Sequence, residues 1–330
     1  MSIYQEEPPR LSPDEALERL KALPRPWARD YLAMYSNWLG GVVTEPWLMS
    51  VPLDDHLVHR GDGVFEATKC LNGRIYLFER HLERLKRSAT SIHLEMPLTR
   101  RELTALAVAV IKAGGQRECM LRIFLSRGPG GFSTNPYECP QAGVYVMASR
   151  IHPPAEEIYE RGANLGVSQV PAKSGFFAGV KSCNYLPNVL LKREAITHGW
   201  DFAICLDPEG YLAEGSTENM GLVDREGVLL LPPPDNILEG TTAKRTVELA
   251  AGLVERGELA GVVRRHLGVE ELSTAAEVLL FGTTLDVLPV CRIDGKPVGD
   301  GQVGPVAKKL RALILDDIAN NPEMSTAVWE

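Results

Sequence analysis

Lys181 stands in Gly179-Val180-Lys181-Ser182-Cys183-Asn184-Tyr185, a run with no other charge that leads into a helix-like pattern. A lysine meant for solvent ordinarily lies on a polar helical face, whereas one flanked by apolar and small residues is a candidate for burial. Burial penalises the ammonium, lowers its pKa and frees the amine for Schiff-base chemistry. Taken alone the feature is weak, because solvated lysines vastly outnumber such amines. Glu214 follows in Ala213-Glu214-Gly215-Ser216-Thr217-Glu218-Asn219, between an expected hairpin and a strand. A carboxylate at a strand edge beside small hydroxyl residues is what a cationic ring nitrogen needs as a partner, although an exposed turn acid is the commoner case. Two Thr-rich turns complete the set: Gly240-Thr241-Thr242 at a helix start and Gly282-Thr283-Thr284 after a buried strand. Hydroxyls and free N–H groups at such turns bind phosphate; helix capping explains them equally well.

Other patterns carry less. Arg127-Gly128-Pro129-Gly130-Gly131 lacks GxGxxG spacing, and Pro129 argues against a helix start, so it reads as a turn. His56 and His59 have neither HExxH spacing nor a Cys partner, so hydrogen-bonded histidines are favoured over a metal site. No GxxxxGK[ST] and no GxSxG occurs.

Periodicity supplies the elements that must hold these groups in place. Residues 1–35 read as an N-terminal extension with a short helix opened by Ser12-Pro13-Asp14-Glu15. A small α+β domain is expected over 36–151: a strand near Trp47–Leu53, a hairpin around Asn72-Gly73, an amphipathic helix over Glu79–Ile92, a helix after Thr99, and buried strands at Met120–Leu125 and Gly143–Ala148. His152-Pro153-Pro154 is the best linker. A strand-rich domain is expected over 155–330, with helices at Leu186–His198, from Thr241 or Thr242 to about Arg256, and near Val306–Ile318.

Composition sets the outer bounds. The 330 residues are 45% hydrophobic and 24% charged, and at roughly 150 residues per domain that is about two domains. The balance of 35 basic and 43 acidic residues argues against nucleic acid or an anionic membrane as main partner, since both need a concentrated basic surface. The acidic, Pro-rich start does not read as a signal peptide, and no apolar run approaches the roughly 18 residues of a membrane span. Six scattered cysteines without CxxC fit a reducing cytoplasm.

Taken in order, these segments closely resemble the class IV aminotransferases, the fold-type IV enzymes that use pyridoxal 5′-phosphate (PLP). The segments are Arg60-Gly-Asp-Gly-Val-Phe65-Glu66, His81-Leu-Glu-Arg84-Leu with Ser88-Ala89, and Lys181-Ser-Cys-Asn184-Tyr185-Leu-Pro-Asn188. They continue with Glu214-Gly-Ser-Thr-Glu-Asn219, Ile237-Leu-Glu-Gly240-Thr241-Thr242, Phe281-Gly282-Thr283-Thr284 and Asp300-Gly-Gln-Val-Gly-Pro305. The likeness runs from about Gly40 to Leu315.

It implies two domains, the larger a C-terminal pseudo-barrel, around a cleft completed in a homodimer. It also implies a site: Lys181 as the Schiff-base lysine and proton carrier, Glu214 on the pyridine nitrogen, and Arg84 with the 241–242 and 283–284 turns on the phosphate. Tyr185 falls to the cofactor's O3′, with Ser216, Thr217 and Asn219 beside the cofactor. Arg60, Phe65, Lys69 and Arg127 fall to the substrate pocket, either Arg as a carboxylate clamp or as a structural ion pair. The implied substrates are small molecules, an amino acid and a 2-oxo acid. Within the class, the three-residue spacing from Lys181 to Asn184 is similar to D-amino-acid transaminases and 4-amino-4-deoxychorismate lyases; branched-chain L-aminotransferases usually place the Asn-Tyr pair one residue farther on. Two departures stand out: Phe65, where several bacterial D-specific enzymes have Tyr, and Ala243, where most of the family has Arg.

Overall fold

A computed structural model describes residues 7–173 and 175–329; Met1–Glu6 of the expected extension, Ser174 and Glu330 lie outside them. The first half runs α1 (Pro13–Ala22), β1 (Tyr31–Ser36), β2 (Gly41–Val43), α2 (His56–Arg60), β3 (Gly63–Leu71), β4 (Arg74–Tyr76), α3 (Phe78–Ser91), α4 (Arg100–Gly114), β5 (Cys119–Ser126) and β6 (Gly143–Ser149). The second half runs α5 (Glu156–Arg161), β7 (Ala163–Val167), α6 (Leu186–His198), β8 (Phe202–Leu206), β9 (Leu212–Gly215), β10 (Asn219–Val223), β11 (Val228–Leu231) and α7 (Thr241–Glu255). After it come β12 (Gly261–Arg264), α8 (Glu271–Thr274), β13 (Glu277–Gly282), β14 (Asp286–Ile293), β15 (Lys296–Pro297), α9 (Pro305–Asn320) and β16 (Ser325–Ala327).

The first sheet is antiparallel, in the order β16-β4-β3-β5-β6-β1-β2. Period-2 alternation along β3 sends Val64, Glu66, Thr68 and Cys70 to one face, where α3 and α4 cover Val64 and Cys70 with Leu82, Leu85, Leu103 and Val110. Phe65 and Lys69 take the opposite face, toward the second half of the chain. The sheet draws outer strands from beyond 36–151, since β1 begins at Tyr31 and β16 comes from the far end of the chain. The second sheet follows β12-β11-β10-β13-β14-β7-β8-β9, and a β9–β10 pairing, Glu214 against Asn219, closes six of its strands into a barrel. That closure places the two ends of the Glu214–Asn219 motif side by side. The barrel interior is filled by Leu165, Ile204, Met220, Leu280 and Leu288, and α7 and α9 pack outside through Ala250, Leu253, Leu310 and Ile314.

Asn72 and Gly73 both have positive φ, the requirement of the tight turn expected between β3 and β4. The expected strand at 47–53 is absent: Pro46–Leu48 forms a 3-10 turn and the rest is irregular. Pro46 and Pro52 each lack a backbone donor, so that segment has no complete ladder to offer. Asp300–Pro305 leads into α9, whose first N–H groups are capped by Glu277: Val306 N and Ala307 N donate to its carboxylate at 2.9 and 2.8 Å.

Candidate active site

Lys181 lies between the two sheets because its backbone is stitched to the first. Its N–H donates to Ser88 Oγ on α3 (3.1 Å), Phe65 N donates to its carbonyl (3.0 Å), and Cys183 N donates to Gly63 O (2.9 Å). Residues 181–183 thus extend β3 by a short rung, with Val64 bridged to Ser182, and the lysine side chain projects toward the barrel. There Nζ sits 3.1 Å from the Tyr185 hydroxyl and 4.8 Å from the centre of the Phe65 ring. Burial, reinforced by the nearby Arg84 charge, pulls the amine down to about 8 from its ordinary 10.5.

Glu214 faces it from β9. Burial pushes its carboxyl up to about 7, against the pull of a backbone N–H from Leu238 at 3.0 Å. Asn219 Nδ2 donates to Leu238 O (2.8 Å), so the two ends of the motif together pin the segment that leads into α7. Gly240 is required there by close approach: a Cβ would lie 1.9 Å from Asn219 Oδ1. The start of α7 carries no side-chain cap and no acid in its first turn, leaving uncapped N–H groups at Thr241 and Thr242.

Arg84 reaches the same place from α3. Its Nε and Nη2 donate to the two oxygens of Glu66 (2.7 and 2.8 Å), and Nη1 donates to Glu239 O (3.0 Å). Burial alone would raise the Glu66 carboxyl; Arg84 and His81 overcome that and hold it far below the usual carboxylate range.

The cleft opens to solvent and is lined from both halves of the chain, by Arg84 from the first and by Lys181, Glu214, Asn219, Thr241, Thr242 and Thr283 from the second. Ser216 and Thr217 line it too, but direct their hydroxyls to Glu218 (3.3 and 2.5 Å). Thr284 is not among the lining residues. Of the four residues expected at the substrate, Phe65 meets the site, packing edge-on against Tyr185 at 4.9 Å. The other three are engaged elsewhere. Arg60 is exposed and bonds the carbonyls of His59, Phe132 and Ser133. Arg127 pairs with Asp62 at 3.0 and 3.1 Å and donates to the Ile92 and His93 carbonyls, which is the structural ion pair of the two alternatives. Lys69 is buried against Asp286 at 2.5 Å. Neither arginine is among the residues that line the cleft.

Sequence reasoning gave no role to Lys173, nor to Glu66 and Asn188, which stand inside motifs that carry the family likeness. Lys173 lines the cleft, its Nζ 4.8 Å from the Tyr185 ring centre, and burial lowers its pKa. Glu66 was visible as an acid within a mostly apolar strand. Asn188 follows the lysine motif; its Nδ2 donates to Ser216 O (2.7 Å), and its Oδ1 is buried without a partner.

The family model for amino-transferase class IV matches residues 63–293, most of the chain. The protein belongs to that family. Among relatives of this class IV aminotransferase, the chloroplastic D-amino-acid transaminase of Arabidopsis thaliana is 38% identical over 315 residues, 95% of this chain and 83% of that protein. A putative branched-chain-amino-acid aminotransferase of Methanocaldococcus jannaschii is 31% identical over 280 residues, 84% of this chain and 95% of that one. A branched-chain amino acid aminotransferase from T.th., solved with pyridoxamine 5′-phosphate, superposes with a TM-score of 0.83 at 30% identity, covering 91% of this chain and 99% of that one. The cofactor is pyridoxal 5′-phosphate. The residues present fit it: an amine of lowered pKa, a carboxyl able to face a ring nitrogen, an uncapped helix start beside a buried guanidinium, and an orphaned buried acceptor in Asn188. Among the described residues no acidic, His or Cys cluster could hold a metal, and no helix is long and apolar enough to cross a membrane.

Proposed function

We propose that this class IV aminotransferase exchanges the amino group between an amino acid, with the D-enantiomer preferred, and a 2-oxo acid. The observation that carries the preference is the short step from Lys181 to Asn184, which sets Tyr185 with its hydroxyl 3.1 Å from Lys181 Nζ. The 38% identity to a D-amino-acid transaminase supports it.

Pyridoxal phosphate, when bound, supplies an aldehyde that condenses with amines and a ring that accepts the electron pair released at the substrate carbon. The chain's own groups do the rest. Lys181 at about 8 holds an appreciable neutral fraction near neutral pH, as both a nucleophile and a carrier of the proton to and from the substrate carbon require. Glu214, ionised once a cationic nitrogen faces it, holds that nitrogen protonated. Arg84, Thr241, Thr242 and Thr283 bind the phosphate, and Tyr185 holds the ring oxygen and orients the amine. Phe65 closes the side of the site against water.

A branched-chain L-aminotransferase is the second reading, favoured by structural neighbours that bear that name at TM-scores of 0.81–0.83. We assign the enzyme to the cytoplasm as a homodimer, supported by its free, dispersed cysteines and by exposed Phe132, Tyr137, Phe176 and Phe177. Turnover of single D- and L-amino acids with 2-oxoglutarate or pyruvate tests the proposal. D-specific, oxo-acid-dependent turnover is expected, and turnover confined to L-Leu, L-Ile and L-Val would select the second reading. Pyruvate and 4-aminobenzoate formed from 4-amino-4-deoxychorismate with no added oxo acid would replace both by a lyase.

A further inference from the structure

His81 has no part in the chemistry above, yet its position connects two parts of the site. It lies one turn before Arg84 on α3 and is only 2% exposed. Its Nδ1 is 2.6 Å from Glu66 Oε2, and its Nε2 is 3.2 Å from Thr241 Oγ1 at the start of α7. Glu66 is an acceptor held ionised by Arg84, so Nδ1 carries a proton and the tautomer is fixed.

The state of Nε2 then decides what Thr241 can do. With a neutral ring, Nε2 is an acceptor and takes the one hydroxyl proton of Thr241, leaving only lone pairs for the cleft. With an imidazolium, Nε2 donates to Thr241 Oγ1 and the hydroxyl proton is released toward the cleft. A phosphate dianion accepts hydrogen bonds and gives none, so it discriminates between these states. Charge points the same way: Glu66 cancels Arg84, and the buried group gains a net positive charge only when His81 is protonated.

We propose that His81 is a positioning residue, protonated when a phosphate dianion occupies the start of α7, so that a Glu66–His81–Thr241 relay turns the Thr241 hydroxyl into a donor. The inference rests on the cofactor reading of the site. The charged groups facing the ring are Glu66 from β3, Arg84 from α3 and Lys181 from the segment before α6. Without an anion, burial lowers the ring's pKa, the two cations lower it further, and Glu66 only partly offsets them; the cofactor-free ring is therefore neutral near pH 7. A dianion beside Thr241 reverses the balance, and the His81 ring takes up about one proton.

Nitrogen NMR on protein carrying isotope-labelled histidine tests this directly. His81→Gln and His81→Asn identify the ring signals by their disappearance, and Thr241→Val identifies them by displacement if neither of those variants folds. The holoenzyme is expected to show both ring nitrogens of His81 protonated near pH 7, and the cofactor-free protein only one. His81→Gln is expected to release cofactor roughly tenfold more readily. Inorganic phosphate titrated into the cofactor-free protein is a second probe that needs no Schiff base. Protonation by phosphate in a chain that takes up no cofactor would uphold the relay and refute the cofactor reading. An unprotonated Nε2 in the presence of either probe at saturation would overturn the relay.

Discussion

Replacing Glu214 by Gln removes a carboxyl that the cofactor-free protein holds at a cost. Buried at the cleft, this group moves from an ordinary 4.5 to about 7. A folded pKa raised above the unfolded one means that the folded state binds the proton more tightly. The stability this contributes is complete below about pH 4.5 and is lost as pH rises through about 7. At about 1.4 kcal/mol per pH unit, the wild-type protein loses up to about 3 kcal/mol across that window, and Glu214→Gln does not. Lys181 works in the opposite sense and at higher pH. Its pKa is depressed to about 8, so its contribution is complete above about 10.5 and is lost as pH falls through about 8. Both proteins share that loss, so it largely cancels in their difference. Urea unfolding of the two cofactor-free proteins from about pH 5 to about pH 8 reads that difference. The expected result is a steady gain for the Gln variant with rising pH, with weaker retention of cofactor in the same variant. A difference that stays flat over this range would refute the assignment of Glu214 as a desolvated carboxyl.

Glu66→Gln leaves Arg84 as a buried charge without its carboxylate and is expected to cost about 3–5 kcal/mol in chemical denaturation; a loss below about 1 kcal/mol would show that the pair is not what holds α3 to β3. Arg127→Ala removes the bonds to Asp62 and to the Ile92 and His93 carbonyls, so stability should fall by about 1–3 kcal/mol while KM for both substrates changes less than about twofold. A large rise in KM with stability unchanged would restore it as a carboxylate clamp.

Lys181 and Glu214 stood out in the sequence because each sits in a short segment of unusual composition, a lysine among small residues and an acid at a strand edge, whereas Arg84 came from the family resemblance of its helix and not from periodicity. The residues that adjust them did not stand out. Glu66 and His81 act on Arg84 and Thr241 through contacts between β3, α3 and α7, and no local period encodes that meeting. The engagement of Arg60 and Arg127 by protein groups was hidden for the converse reason. Residue type alone does not say whether a neighbouring carboxylate or carbonyl has already taken the guanidinium, and Asp62 and the 92–93 turn become neighbours of Arg127 only once the sheet has formed. The 47–53 segment misled because its apolar residues resemble a strand while its prolines deny it a ladder.

The central claim is that Lys181 is the amine on which the cofactor is carried, and visible absorbance of Lys181→Ala after saturation with pyridoxal phosphate tests it most directly. The wild type should show the band of a protonated Schiff base, and the variant should show only free aldehyde and no amino transfer. A Lys181→Ala protein that keeps both the Schiff-base band and full activity would contradict the account.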